Sequence, residues 1–245
     1  MIALVPLPSG ADVHRGERRV RLADVDGDGR VRFDALARYL QDVAADDARR
    51  APAEALPTWV VRRTAIAAAR LPRYEEPLQL VTWCSGTGAA WAERRTSITG
   101  ARGASVEAVS LWVSVDRATL RPVLLGDAFL AWAGEAARAR RVPSGLHLPA
   151  SAPSPASPRS WPLRRSDFDV LGHLNNTVSW AAAEEEAHRV TGGQRLSWGE
   201  VEYRLPVDSL DALSVVSRLD GDEVTVWLLD SDRAVASVAR FGVRP

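Results

Sequence analysis

The chain contains no lysine; its 31 basic residues other than histidine are all arginine, against 31 Asp and Glu. The arginine-only set reads as base-composition bias in the gene. The formal net charge of zero gives a nucleic-acid partner no support. A single cysteine, Cys84, excludes an internal disulfide and fits a reducing cytoplasm. No apolar run approaches the ~20 residues that a membrane-spanning helix needs. The opening MIALVPLPSGADVHRGERR lacks a basic region before an apolar core and is read as no signal peptide. No G-x-S-x-G occurs, so the nucleophile elbow of a serine hydrolase is missing. What remains is a chain of 245 residues, 46% hydrophobic and 25% charged, enough for one large or two ordinary domains.

The densest chemistry lies in Arg164–Glu186, RRSDFDVLGHLNNTVSWAAAEEE. Asp167, Asp169, His173, Asn175 and Asn176 form the pattern D-x-D-x-x-x-H-x-N-N. Asp169 is a carboxylate four residues before His173, in a turn that Gly172 permits. Such a pair can activate water, and the helix that follows offers N–H groups to developing negative charge. Asn175 and Asn176 are placed to cap that helix. Val178, Ala181, Ala182 and Glu185 are spaced i, i+3, i+4, i+7, which predicts one inward face carrying Glu185, with Glu184 and Glu186 pointing elsewhere. The plain alternative for the stretch is an ordinary loop with an Asn cap and a solvated Glu185.

An earlier segment, Asp24–Ala35, DVDGDGRVRFDA, resembles a calcium loop in its first six positions. Its twelfth residue is Ala35 where a bidentate Glu belongs, and a strand-like segment precedes it. A repeat explains it better. A shift of 167 − 24 = 143 residues lays Asp24 on Asp167, Asp26 on Asp169, Gly29 on Gly172, Val31 on Leu174 and Asp42 on Glu185. Arg30 falls on His173, and Arg32 and Phe33 fall on the two asparagines. Leu36, Tyr39, Leu40 and Val43 then mark a first helix to match the second. Two copies of strand–turn–helix imply two similar domains in tandem, with chemistry in the copy that keeps His and Asn.

Strands are expected over Arg18–Asp24, Leu78–Cys84, Trp91–Thr99, Val106–Asp116 and Arg121–Leu125, then Arg195–Val207, Leu213–Leu219, Glu223–Asp230 and Ala234–Val243. Thr58–Arg70 stays open between strand and helix, after breaks at Pro52 and Pro57. Val224, Val226 and Leu228 alternate with Thr225 and Trp227, the pattern of a half-buried strand. PASAPSPASPRS, Pro149–Ser160, reads as an extended linker. It divides residues 1–145, 146–160 (the linker) and 161–245.

The Asp167–Asn176 motif resembles the signature of hotdog-fold thioesterases, and more closely the second half of the acyl-ACP thioesterase family. TWCSGTGAAWAERRTSI and EAVSLWVSVDRATLRPV, with W-V-x-x-D-x-x-T-x-R, resemble that family's first-domain sheet. The resemblance covers most of residues 18–207. It implies an α+β tandem double hotdog, each half an antiparallel sheet wrapped around a long central helix. It implies a cytoplasmic enzyme of fatty acid biosynthesis without cofactor or metal, a pseudo-dimer within one chain, and either no further assembly or a homodimer. The expected partner is acyl carrier protein bearing a phosphopantetheine thioester, docked on basic residues such as Arg62–Arg63, Arg94–Arg95 or Arg138–Arg140–Arg141. Asp169 and His173 match the family's catalytic Asp and His, and the family places a Glu at Glu185. Leu171 stands where the family has a catalytic Asn. Pro206 and Val207 stand where the plant enzymes have Glu and Cys, and Glu202 is a candidate substitute.

Three other readings stay open: an acyl-CoA thioesterase of the same fold, a non-catalytic acyl-binding double hotdog, and a calcium module. Trp83, Trp91 and Trp112 read as sheet packing, with acyl-pocket lining as the alternative. Cys84 reads as a core-facing thiol rather than a nucleophile.

Overall fold

Runs rich in valine, threonine and tryptophan become strands, and two alanine-rich amphipathic runs become the long helices. A computed structural model describes residues 7, 12–51, 58–154, 157–170 and 172–243. The readings at Pro52, Pro57 and Leu171, and most of the opening segment, lie outside the described residues. The chain divides into two compact units. One holds Met1–Arg32 with Arg38–Gly145; the other holds Phe33–Ala37 with Leu146–Pro245.

The first unit contains β1 (His14–Arg19), most of α1 (Phe33–Ala48), β2 (Thr58–Arg70), β3 (Pro77–Thr87), β4 (Trp91–Gly100), β5 (Ser105–Val115), α2 (Asp127–Ala133) and α3 (Glu135–Ala139). Its strands run β1-β3-β4-β5-β2, every neighbour antiparallel. The ambiguous Thr58–Arg70 is strand throughout. Ala65, Ala67 and Ala68 face Val109, Glu107 and Val106 across the ladder, so pairing overrides alanine's helical preference. Arg121–Leu125 is not a strand. It meets the sheet through a single Val115–Pro122 bridge, and Pro122 has no N–H to extend a ladder. The first strand also stops early, at Arg19, because Leu22–Asp24 winds into a 3-10 turn. The buried Asp24 carboxylate holds that turn, accepting the Arg21 N–H at 2.9 Å and the Tyr39 hydroxyl at 2.6 Å.

The second unit contains β6 (Arg159–Trp161), α4 (Asn176–Thr191), β7 (Leu196–Tyr203), β8 (Leu213–Asp220), β9 (Glu223–Leu229) and β10 (Val235–Val243). The order is β6-β8-β9-β10-β7, again antiparallel throughout. This is the first unit's order repeated strand for strand. α4 packs against β7 to β10, the hotdog arrangement.

One strand departs from its expected pattern. Every residue of β9 from Val224 to Leu229 is buried, not alternate ones. α4 packs against β9, and Leu148 packs with Val216, Trp227, Leu229 and Val238. The Trp227 indole N–H donates to the Pro149 carbonyl at 3.1 Å. The start of the Pro/Ser/Ala segment is therefore a cover for this sheet as well as a connection.

Candidate active site

The two turns before the long helices match bond for bond at the shift of 143. In each copy a 3-10 turn ends on the acid, Leu22–Asp24 and Arg165–Asp167. The acid's carbonyl accepts an N–H eight residues on: Arg32 to Asp24 at 3.0 Å, Asn175 to Asp167 at 2.8 Å. The second acid's N–H meets the turn's far carbonyl, Asp26 to Arg30 at 2.8 Å and Asp169 to His173 at 2.9 Å. Gly29 and Gly172 adopt φ of 72° and 79°, the left-handed region where glycine carries no side-chain penalty. α1 and α4 start at Phe33 and Asn176 and end at Ala48 and Thr191, both pairs 143 apart.

The side chains then diverge. In the second copy Asn175 is the N-cap of α4, its Oδ1 accepting from the Thr177 N–H at 3.0 Å and the Thr177 hydroxyl at 2.9 Å. The Tyr203 hydroxyl donates to the Asn176 carbonyl at 3.3 Å and accepts the Trp180 indole N–H at 2.9 Å. Burial pushes the Tyr203 phenol above its ordinary pKa, the Trp180 hydrogen bond opposing only in part, so it stays neutral and anchors the helix start. Asp167 is buried against Arg164, whose backbone N–H it accepts at 2.8 Å and whose guanidinium it meets at 2.9 Å. Its task is to hold the turn, as Asp24 holds the first.

Asp169 and His173 are both half-buried. An Asp169 oxygen accepts the backbone N–H of His173 at 3.4 Å, while Val170 stands fully exposed at the tip. The His173 Nδ1 is buried and meets no hydrogen-bond partner among the described residues. A buried ring nitrogen without a partner is costly. Val207 lies against this turn, its carbonyl accepting the Leu174 N–H at 2.8 Å.

In the first copy the helix start is already filled. Arg32 occupies the cap position without capping; its guanidinium reaches back to the Val25 and Ala23 carbonyls at 2.8 and 2.9 Å. Phe33 stacks on Trp180 at 6.0 Å and meets Phe241 edge-on at 5.8 Å. The buried Glu184 carboxylate accepts the Phe33 N–H at 3.0 Å and the Asp34 N–H at 3.2 Å. An anion of the protein's own thus sits where helix-terminal amides would greet a ligand's charge.

Two expected site residues move. The inward face of α4 is one position off the expected one: Ser179, Trp180, Ala182, Ala183, Glu184, Glu186 and Ala187 are buried, and Glu185 is exposed. Trp180 sets this register, its large ring seated in the core while the small alanines of the run fit either side. Glu186 is tied to Arg189 at 2.7 Å and to Ser217 at 2.6 Å. Glu202 is wholly buried and already used. It accepts the His147 and Leu148 N–H groups at 2.5 and 3.1 Å and the Arg204 guanidinium at 2.8 Å. This carboxylate pins the covering segment to the sheet and is wholly buried among its partners. Sequence reasoning missed Glu184 and Tyr203; Tyr203 sat in view in the V-E-Y-R motif, while Glu184 was hidden by the misjudged register.

The first unit holds a cavity of about 230 Å³. Gln41, Ala44, Ala45 and Ala48 of α1 form one wall, and Trp59, Cys84, Ala92, Trp112, Phe129 and Trp132 supply the rest, with Glu93 and Arg94. Burial pushes the Cys84 thiol up to about 11, so it is a neutral wall atom at pH 7. Burial alone would raise the Glu93 carboxyl, but Arg140, Ser85 and Arg95 hold it below the usual range. Arg94 is paired with Asp47 at 2.7 Å, and Arg95 is buried, so this pair is no surface patch. Trp83 is sheet core, and the Trp91 indole N–H is spent on the Val142 carbonyl at 2.7 Å. At the calcium-like loop, Asp24 faces Tyr39, and Asp26 accepts the N–H groups of Asp28 and Arg30 at 2.9 Å.

Comparison with known proteins agrees with this architecture. Residues 11–132 match the model of the acyl-ACP thioesterase N-terminal domain. An uncharacterized protein of Mycobacterium tuberculosis is 29% identical over 98% of this chain and 97% of its own. The 12:0-ACP thioesterase of Umbellularia californica superposes with a TM-score of 0.79 at 21% identity, over 95% of this chain and 97% of that one. An acyl-ACP thioesterase from Bacteroides thetaiotaomicron gives 0.78 at 18% identity, over 95% and 98%. The first half of the chain thus matches the acyl-ACP thioesterase N-terminal domain, and its fold over nearly the whole chain is that of the acyl-ACP thioesterases of known structure.

Proposed function

We propose that the protein hydrolyses the thioester linking a fatty acyl chain to the phosphopantetheine arm of acyl carrier protein, releasing the free acid. The asymmetry between the two helix starts carries this reading. One start is filled by Glu184, and the other lies beside Asp169 and a His173 ring nitrogen that has no partner among the described residues. Asp169 acts as general base: it takes a proton from water as the oxygen attacks the thioester carbon. The resulting oxyanion is held by the amide at Asn176, one of the first helical N–H groups, which have no carbonyl to meet within the helix. As the C–S bond breaks, the pantetheine sulfur leaves with a proton shared through His173. Asn175 caps the helix and fixes the amide's direction. Glu185 and Glu202 have no part in the chemistry, the first because it faces outward and the second because its oxygens are committed.

In this scheme the second unit is catalytic, the first unit's cavity takes the acyl chain, and the two act as a pseudo-dimer in one chain. No second chain is required. The acidic carrier protein docks on exposed arginines, of which Arg138 and Arg141 remain available. The enzyme works in the cytoplasm, and no helix among the described residues is long and apolar enough to cross a membrane. The family match names acyl-ACP, which favours that carrier over coenzyme A. The test is release of thiol by the purified protein from matched acyl-ACP and acyl-CoA. Turnover with the carrier-protein substrate is expected; no turnover with either would leave an acyl-binding protein instead.

A further inference from the structure

We propose that Tyr203 is a positioning residue for the reaction: its hydroxyl, steadied by the Trp180 indole, holds the first turn of α4 so that the Asn176 N–H keeps its aim. The proposal rests on the thioesterase reading above and gives a role to a residue which that reading leaves out.

It begins with room made in the sheet. Gly199 and Tyr203 lie four residues apart on β7, so both project to one face of the strand. A Cβ at Gly199 would stand 2.6 Å from Phe241 and 2.9 Å from the Trp180 ring. No side chain fits there, and the wholly buried Trp180 takes the space. Its indole N–H then donates to the Tyr203 hydroxyl at 2.9 Å, and that hydroxyl donates to the Asn176 carbonyl at 3.3 Å. On the neighbouring strand Ser237 stands opposite Tyr203, and its hydroxyl donates to that of Ser179 at 3.2 Å. Two ties thus join the end of β7 and the start of β10 to the first turn of α4.

The bond to Asn176 repairs no deficit in the helix. A helix start lacks acceptors for its N–H groups, while its carbonyls find partners within the helix. Asn175 already serves the Thr177 N–H with its side chain at 3.0 Å and the Val178 N–H with its carbonyl at 2.9 Å. Tyr203 adds a grip on the carbonyl side, and neither residue takes the Asn176 N–H. The first copy does the reverse, for there Glu184 holds the helix start by its N–H groups. A start gripped by its carbonyl is fixed in direction and still offers its leading N–H to an oxyanion. A donor fixed in advance needs no reorientation as charge develops, and a small misplacement is costly in rate. Burial holds the Tyr203 phenol above its ordinary pKa, so the hydroxyl remains a donor.

The test is Tyr203→Phe in the full chain, which keeps the ring and removes the hydroxyl. On acyl-ACP, kcat should fall by about tenfold to a hundredfold, the cost of a misplaced reacting geometry, with KM within about twofold of wild type. Hydrogen exchange, read amide by amide by NMR, should speed up at Thr177 and Val178 and stay unchanged in the last turn of α4. Ser217→Ala removes a hydroxyl from Glu186, toward the far end of α4, and serves as the control; its kcat should match wild type. Thermal melts show whether each variant is folded at the assay temperature. If Tyr203→Phe is not, Trp180→Phe decides: it keeps an aromatic ring in the core, removes the donor behind the hydroxyl, and should also lower kcat. Wild-type kcat in the folded variant overturns the proposal. So does faster exchange spread over α4 and β7 alike, with kcat lowered only in step with the folded fraction, since Tyr203 would then be structural. Absence of turnover by the wild-type chain would instead remove the thioesterase reading, and the proposal with it.

Discussion

Two turn–helix segments in this chain share a backbone and differ in what their side chains do. In Asp24–Ala48 the polar turn is closed on itself. Asp24 serves Tyr39, Arg30 pairs with Asp28, and Glu184 fills the helix start. In Asp167–Thr191 the same hydrogen-bonded frame keeps Asp167 as the structural acid. The second acid there accepts the His173 N–H, the His173 Nδ1 meets no partner among the described residues, and the helix start is capped by Asn175. The lesson is that the frame and the function are separable. The first acid of each pair, the glycine and the backbone ladder are needed to make the turn. Asn175 caps its helix, and in the proposed reaction His173 belongs to the copy that does chemistry.

That comparison breaks most clearly at Asp169. Asp169→Asn keeps the shape and removes the base, so kcat on acyl-ACP should fall about a hundredfold or more. Unchanged turnover there would remove the carboxylate from the mechanism.

Glu184 comes next. Glu184→Ala leaves the buried Phe33 and Asp34 N–H groups without their acceptor, a loss of roughly 2–3 kcal/mol by the usual penalty for stranded donors. Urea unfolding should show it, with kcat within about threefold of wild type, since the residue acts on stability rather than on the barrier. A collapse of kcat without loss of stability would mean that the first helix start is itself a reaction site.

A smaller effect is expected at the cap. Asn175→Ala removes the bonds to Thr177 and should cost about 1 kcal/mol and some kcat. Asn175→Asp, which still caps, should restore the stability.

The smallest effect is on pH. The carboxyls of Asp24, Glu93 and Glu186 are each pushed up by burial but held below their ordinary values by hydrogen bonds and nearby arginines. Groups depressed in the folded state contribute stability that is complete above their unfolded pKa, and it is lost as pH falls through the folded one. Thermal midpoints should therefore be level above about pH 5 and decline below the ordinary values of 3.8 for Asp24 and 4.5 for the glutamates. Arg140→Ala should bring the Glu93 part of that decline to higher pH.

Much of this was legible in the residues. The shift of 143 predicted two matched turns and helices, and the helix ends agree with it to the residue. The Asn175 cap and most strands were visible as local patterns. What escaped depended on contacts far away in sequence. The alternation read at Val224–Leu228 gave no sign that Leu148 would cover the other face of β9. The alanines of Thr58–Arg70 could not reveal their partner strand. The face of α4 was judged from small residues that fit almost anywhere, and Trp180 turned it by one position. Glu202 resembled a free catalytic carboxylate because its partners, His147 and Leu148, lie 55 and 54 residues away.

The central claim, that chemistry belongs to the second copy alone, is tested most directly at a turn position where the copies differ in kind. His173→Ala and Arg30→Ala occupy equivalent places, and both are read by kcat on the same acyl-ACP with folding checked by circular dichroism. The account predicts a loss of about tenfold to a hundredfold for His173→Ala, in the range of a lost acid–base group, and nearly full turnover for Arg30→Ala. Equal collapse of both, with folding intact, would contradict it and show that the two turns work together.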